Sequence, residues 1–270
     1  MHSKIQRFFS KLEKHSVKVY DFNEIKIEES LGEGGFGEVY KGYVCGEKRA
    51  LKRLFFEMDE LDGFLCDLLK EMVYSKDLVS KRLTRVYGIS YDQENEEMYV
   101  IMELLNTGDL WSYIRRKQLT RLEKREIFDS LVLAVKDLHK LNYIHSDLKP
   151  ENLCYYNDYE RGEKYIKILD YNLMEKLPKN KEVMWGGHGT YGYSAPEQFK
   201  EIICKKSDVY AAAVIYLEML CGENIWSNSS NNYAKCRQIV LSKLEQLKQD
   251  EDYELLKKYL RYGYSKREDF

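Results

Sequence analysis

Eight consecutive residues, His145-Ser146-Asp147-Leu148-Lys149-Pro150-Glu151-Asn152, carry the side chains best suited to chemistry. Asp147 can accept a proton from a hydroxyl. Lys149, two places on, can hold a phosphate, and Asn152, five places on, can ligate magnesium. A proton acceptor, a cation and a metal ligand in one short polar loop are the set that phosphoryl transfer requires. A long apolar-periodic segment precedes the loop, with Ile127, Leu131, Val132, Val135 and Leu138 on the pattern of a buried helix between Leu119 and Leu141.

Taken alone, His-x-Asp-x-x-x-x-Asn also resembles the loop of small-molecule phosphotransferases such as the aminoglycoside and choline kinases. Its company separates the two readings. Upstream lie Gly32-Glu33-Gly34-Gly35-Phe36-Gly37-Glu38-Val39 and Ala50-Leu51-Lys52. Downstream lie Asp170-Tyr171-Asn172, Gly189-Thr190-Tyr191-Gly192-Tyr193-Ser194-Ala195-Pro196-Glu197 and Ser207-Asp208-Val209-Tyr210. In this order and at these separations the set resembles the eukaryotic protein kinase domain, from about Phe22 to Arg267. That resemblance implies an α+β, two-lobed protein kinase fold: a small antiparallel β-sheet lobe with one helix over 22–103, and a larger, mainly helical lobe with a short last helix over 104–270. Residues 1–21 precede them as a basic amphipathic extension.

The same resemblance implies ATP and Mg2+ and assigns residues to each. Asp147 accepts the substrate proton, Lys149 holds the γ-phosphate, and Thr190 contacts both. Asn152 and Asp170 ligate the metal. Lys52 serves the α- and β-phosphates, and its ion-pair partner is Glu71, because the 17 residues from Glu71 to Gly88 match the family's spacing. Leu31, Gly32, Gly34, Gly37 and Val39 cover the nucleotide, with Val39 on the adenine and Phe36 at the flap tip. Ala50 and Leu153 complete the pocket, and Met102 guards its back. Glu103, Leu104 and Leu105 offer backbone groups to the adenine edge. Asp109 fits either a contact to ribose or substrate or a plain helix N-cap.

Local patterns agree with those positions. Phe22 to Ile27 alternates apolar and polar residues and reads as a half-buried strand feeding the glycine loop. Val39 to Val44 reads as a second strand, so the Gly-x-Gly-x-x-Gly triplet sits in a strand-turn-strand flap rather than between a strand and a helix. A tight turn at Cys45-Gly46 leads to a strand from Arg49 to Leu54 that presents Lys52, 15 residues past Gly37. Phe64, Leu65, Leu68, Leu69, Met72 and Val73 then form the apolar stripe of a helix. Met98 to Glu103 reads as a buried strand, and the Ser227–Asn232 stretch as a loop between late helices.

Three departures from the family pattern carry consequences. Ser146 stands before the catalytic Asp where most regulated members have Arg, and Leu173 to Gly189 contains no Ser, Thr or Tyr. Both halves of a phosphate switch are missing together, which implies a kinase that needs no activation-segment phosphorylation. Tyr171 and Asn172 replace Phe and Gly in the magnesium motif; Asn tolerates positive φ, so the turn is expected to survive there. Such a degenerate motif also fits a weak or inactive pseudokinase acting as a nucleotide-binding scaffold. Finally, Arg267 matches the Arg that pairs with Glu197, yet the chain stops at Phe270, short of much of the usual last helix.

Lys149 in Asp-Leu-Lys-Pro-Glu-Asn and the Gly-Thr-x-x-Tyr-x-Ala-Pro-Glu element resemble serine/threonine kinases, and the N-terminal lead-in resembles the tyrosine-kinase-like group of them. In that family Ala195-Pro196-Glu197 and Asp208 build the platform for a protein substrate, so the resemblance implies one here as well. Bulk properties are consistent: 44% hydrophobic and 33% charged residues suit a globular protein, and a net charge of −2 gives no pull toward nucleic acid. Six scattered cysteines without a Cys-x-x-Cys pair read as reduced thiols in the cytoplasm. No apolar run approaches the roughly 18 residues of a membrane span. Ile5, Phe8, Phe9 and Leu12 at helical spacing, with Lys4, Arg7, Lys11 and Lys14 on other faces, form a basic helix that either packs on the body or touches a membrane surface. His188 is a loop residue rather than a metal ligand, and Asn228-Ser229-Ser230 is a polar surface loop.

Overall fold

The chain reverses at Cys45 and Gly46, both in the left-handed region with φ of 49° and 80°. A two-residue hairpin loop needs those values, and the flanking Val44 and Glu47 pair directly across it. The computed structural model describes residues 2–34, 37–186, 189–222, 225–226 and 232–270. The readings placed on Phe36, His188 and Asn228-Ser229-Ser230 lie outside the described residues. Met1–Asn106 and Thr107–Phe270 form two compact units.

In the first unit, α1 (His2–Lys14) and β1 (Val19–Tyr20) precede the strands β2 (Ile25–Gly34), β3 (Gly37–Val44) and β4 (Glu47–Leu54). Next come α2 (Leu61–Ser75), β5 (Val86–Asp92) and β6 (Glu97–Met102). The strands form one six-stranded sheet in the order β1-β5-β6-β4-β3-β2. All its pairings are antiparallel except β1 with β5, a parallel edge. The expected strand from Phe22 begins only at Ile25. Phe22–Glu24 is a 3-10 turn because the Asp21 carboxylate accepts from the Asn23 amide at 2.9 Å and captures the backbone locally.

Register decides what each sheet face does. Val39 pairs with Lys52, Lys52 with Val100, and Ala50 with Met102, so Val39, Ala50, Lys52, Val100 and Met102 share one face. Leu51, Tyr99 and Ile101 point the other way into a separate cluster with Val44. Val100 and Met98 pack with Leu61, Leu65, Leu68 and Met72 of α2, so α2 covers the face that carries Lys52. The apolar stripe of α1 belongs to that same core: Ile5, Phe8 and Leu12 are buried in it. Lys4 pairs with Asp62 at 2.8 Å, and Lys76 donates to the His15 carbonyl, pinning α1 at both ends. The helix therefore spends its apolar face on its own unit and leaves Arg7, Lys11 and Lys14 exposed.

The second unit contains α3 (Leu110–Arg116), α4 (Arg121–Lys140), β7 (Tyr143–Ile144), β8 (Leu153–Asp158) and β9 (Glu163–Ile168). After these come β10 (Glu175–Lys176), β11 (Val183–Trp185), β12 (Ile202–Cys204), α5 (Lys205–Cys221), α6 (Tyr233–Gln246) and α7 (Tyr253–Tyr259). Thr120 and Glu123 close a capping box at the start of α4. Helix α5 is buried without interruption from Ser207 to Met219, the mark of a helix enclosed on every side. Phe128 of α4 stacks on its Tyr216 at 4.3 Å between ring centroids. The hairpin β8–β9 pairs Leu153 with Ile168, and the short ladders β7–β10 and β11–β12 tie down the chain between them.

Candidate active site

Helix α4 ends at Lys140, Asn142 turns the chain with φ 62°, and β7 delivers it into the loop 145–152. The side chains of that loop converge. Asp147 Oδ1 accepts from the Thr190 amide and from Thr190 Oγ1, both at 2.7 Å. Its Oδ2 lies 3.1 Å from Asn152 Nδ2 and 3.2 Å from Lys149 Nζ. Lys149 also donates to Thr190 Oγ1 at 2.9 Å. The carboxylate is thus held by four donors, a charge-assisted arrangement that fixes its orientation.

The loop backbone is held from α5. Asp208, 1% exposed, accepts from the His145 amide at 2.9 Å and from the Ser146 amide at 3.0 Å, and lies 2.8 Å from His139 Nε2. His145 is placed at both nitrogens, Nδ1 facing the Asp147 amide at 3.3 Å and Nε2 the Leu169 carbonyl at 3.3 Å. The ring is thus fixed between the loop backbone and the chain just before Asp170.

Asp170 reaches the same place through backbone pairing. Where β8–β9 ends, the Leu169 amide donates to the Asn152 carbonyl at 2.9 Å, setting Asp170 one residue from Asn152's partner. The turn differs from expectation at Asn172. The left-handed residue is Asp170, with φ 27°, and Asn172 does not have positive φ. The Asn172 amide instead donates to Asp170 Oδ1 at 3.3 Å, closing an Asx-type turn that needs no glycine at the third position. Tyr171 is buried, and its hydroxyl donates to the Ile168 carbonyl at 3.1 Å.

The nucleotide-binding candidates divide between the units. In the first, Val39, Ala50, Lys52 and Met102 share the sheet face derived above. Lys52 and Glu71 are 8% and 7% exposed, and both have interaction partners. Gly37 is required by packing, because a Cβ there would lie 2.0 Å from the Arg53 carbonyl oxygen. Leu31, Gly32 and Glu33 are exposed on β2, and Gly34 ends that strand. The Glu103 amide donates to the Arg85 carbonyl at 2.9 Å. In the second unit Leu153 is fully buried, and Asp109 is an N-cap: its oxygens accept from the Ser112 amide at 2.7 Å and hydroxyl at 3.1 Å.

A family model described as the protein kinase domain matches residues 25–268, nine tenths of the chain. The chain belongs to the protein kinase domain family. Relatives are spread widely. It is 27% identical to a probable serine/threonine-protein kinase of Dictyostelium discoideum, over 82% of this chain and 24% of that one. It is 30% identical to the PR5-like receptor kinase of Arabidopsis thaliana, over 80% of this chain and 34% of that protein. With calcium-dependent protein kinase 5 of Plasmodium berghei it shares 28% identity, over 80% and 37% respectively. The chain therefore spans between about a quarter and somewhat more than a third of the length of these relatives.

Kinase chemistry generally needs a divalent cation, and the donor set fits one. Asn152 spends its amide nitrogen on Asp147, at the carbonyl (2.9 Å) and at Oδ2 (3.1 Å), so its Oδ1 is the oxygen it could offer a cation, and the Leu169 amide on its carbonyl sets Asp170 as the next residue along the chain. One amide and one carboxylate are the hard oxygen donors such a cation takes alongside water and phosphate. Among the described residues, no helix is long and apolar enough to cross a membrane.

Two buried groups of this kinase escaped the sequence reading. The sequence offers Asp208 as part of a substrate platform, and the structure makes it the anchor of the loop. Glu218, on the same helix, accepts from the Tyr193 hydroxyl at 2.6 Å through Oε2, while its Oε1 is buried without a partner. Burial raises its pKa from 4.5 to about 7. Between those values the folded chain keeps a proton that the unfolded chain has released, so this group lowers stability as pH rises through that window. Glu218→Gln removes the titration. The stability gap between wild type and variant is expected to change by about 3 kcal/mol between roughly pH 4 and pH 8, read from denaturant midpoints. A gap constant with pH would rule the assignment out.

Proposed function

We propose that the chain is an ATP- and Mg2+-dependent serine/threonine protein kinase that works without phosphorylation of its activation segment. The observation that carries the reading is the knot of Asp147, Thr190, Lys149 and Asn152. A substrate hydroxyl presented to Asp147 Oδ2 is oriented and relieved of its proton as its oxygen attacks the γ-phosphorus and the bond to the departing ADP breaks. Lys149 occupies that side of the carboxylate at 3.2 Å and turns to the transferred phosphoryl group when it arrives. Asn152 and Asp170 would hold Mg2+, which when bound neutralises charge on the phosphate oxygens. Lys52 would serve the α- and β-phosphates, positioned by Glu71. In the first unit, Val39, Ala50 and Met102, which share one sheet face, would meet the base; in the second, Leu153 is the candidate contact to it.

Serine/threonine selectivity is supported by the Lys149–Thr190 bond and by the similarity to the probable serine/threonine-protein kinase of Dictyostelium discoideum. Independence from phosphorylation is supported by Ser146, by the absence of hydroxyl residues from 173 to 189, and by neutral ties that hold the segment. Strand β11 pairs with β12, and the Gly186 amide donates to the Glu201 carbonyl at 3.1 Å.

The test is purified protein with γ-labelled ATP, magnesium and myelin basic protein, before and after phosphatase treatment. Label on serine or threonine is expected, at a rate that phosphatase changes by less than about threefold. Label on tyrosine alone would reject the selectivity. A loss above roughly tenfold would reject the independence.

A further inference from the structure

We propose that Gln198 is a positioning residue for catalysis: its buried carboxamide clamps the peptide bond that carries Asp147 to the segment that follows Ala-Pro-Glu. The proposal rests on the catalytic reading of Asp147. Gln198 is 1% exposed. Its Nε2 donates to the Ser146 carbonyl at 2.8 Å, and its Oε1 accepts from the Ala195 amide at 2.8 Å. One side chain therefore ties two stretches of chain 52 residues apart.

The tied carbonyl belongs to the peptide bond leading into Asp147. On the other side of that bond the Asp147 amide faces His145 Nδ1, so Gln198 and His145 hold the same peptide plane from opposite ends. Ser146 sits in the left-handed region with φ 70°, a conformation that a serine does not prefer and that needs support from its surroundings. Its own hydroxyl gives none, being buried without a hydrogen-bond partner. The space is closed as well: a Cβ on Gly189 would lie 2.4 Å from the Ser146 carbonyl oxygen, so no bulkier residue could stand there and supply a donor from that side.

Where the family pattern has an arginine that receives a phosphate, this chain has a serine whose carbonyl receives an amide. Both devices couple the catalytic loop to the segment that meets the substrate. The amide is neutral and permanent, so it needs no modifying enzyme.

The experiment compares wild type, Asp147→Asn, Gln198→Met and Gln198→Glu in the full chain, measuring kcat, KM for ATP and thermal melting. Methionine keeps the length and apolar stem but offers neither bond; ionised glutamate keeps the acceptor for Ala195 but loses the donor. Both Gln198 variants are expected to lower kcat roughly 10- to 100-fold, the scale of a sub-ångström to 1 Å misplacement, with KM for ATP within about twofold of wild type. The Asp147 variant sets the floor. If it were as active as wild type, the proposed function itself would fail. If it is dead while both Gln198 variants fold and turn over within about threefold of wild type, the clamp is refuted. Failure of both variants to fold, or a rise in KM for ATP with kcat unchanged, would equally reject a positioning role.

Discussion

Replacing Asp147 with Asn is expected to lower kcat by roughly 10²–10⁴-fold or more, while KM for ATP stays within about threefold of wild type. The reason lies in how the carboxylate is held. Oδ1 accepts twice from Thr190, and an Asn carbonyl oxygen can keep both bonds. The second oxygen faces the amide of Asn152 and the ammonium of Lys149, both donors. An Asn nitrogen in that place sets donor against donor and leaves nothing to take the substrate proton. The Thr190 contacts preserve the loop, so the variant folds and its melting temperature shifts little. None of the residues assigned to the nucleotide is altered. Label incorporation at the wild-type rate would refute the role of Asp147, and a large rise in KM for ATP would show that the substitution disturbs more than proton acceptance.

The sequence revealed what is governed by near neighbours. The Cys45-Gly46 reversal, the stripe of α2 and the helix that delivers the loop all follow from spacing and turn chemistry within a few residues. Phe22–Glu24 was misread because its alternation is the same in a strand and in a turn; the Asp21 carboxylate decides between them by capturing the Asn23 amide and, at 3.0 Å, its side-chain nitrogen. The positive φ expected at Asn172 falls instead on Asp170, since an Asx turn and a glycine turn place the left-handed residue differently. Asp208 and Gln198 were harder still. Their work is done on backbone groups 62 and 52 residues away, and no local pattern records which buried carbonyl or amide a side chain will meet. The apolar stripe of α1 was visible too, but its partner in α2 is a tertiary fact.

Arg267 offers the largest expected effect on stability. Its side chain is 0% exposed, and that of Glu197 4%. Two parallel bonds join them, Nη1 to Oε1 at 2.6 Å and Nη2 to Oε2 at 3.1 Å. The remaining donors are used as well: Nη1 meets the Lys206 carbonyl at 2.6 Å and Nη2 the Arg261 carbonyl at 3.0 Å, while Ser207 Oγ donates to Glu197 at 3.0 Å. Arg267→Met keeps much of the volume but leaves a buried carboxylate and two carbonyls without their cation. Breaking a buried pair from one side costs about 3–5 kcal/mol, which for a chain of this size lowers the melting temperature by roughly 6–20 °C. The double variant Glu197→Gln with Arg267→Met is expected to lose less than the sum of the two single changes, because neither is then left with an unpaired charge. Activity per folded molecule should stay within about threefold of wild type, since neither group touches the Asp147 carboxylate. An Arg267 variant that melts like wild type, or one that keeps its stability and loses its turnover, would move this pair from the scaffold into the chemistry.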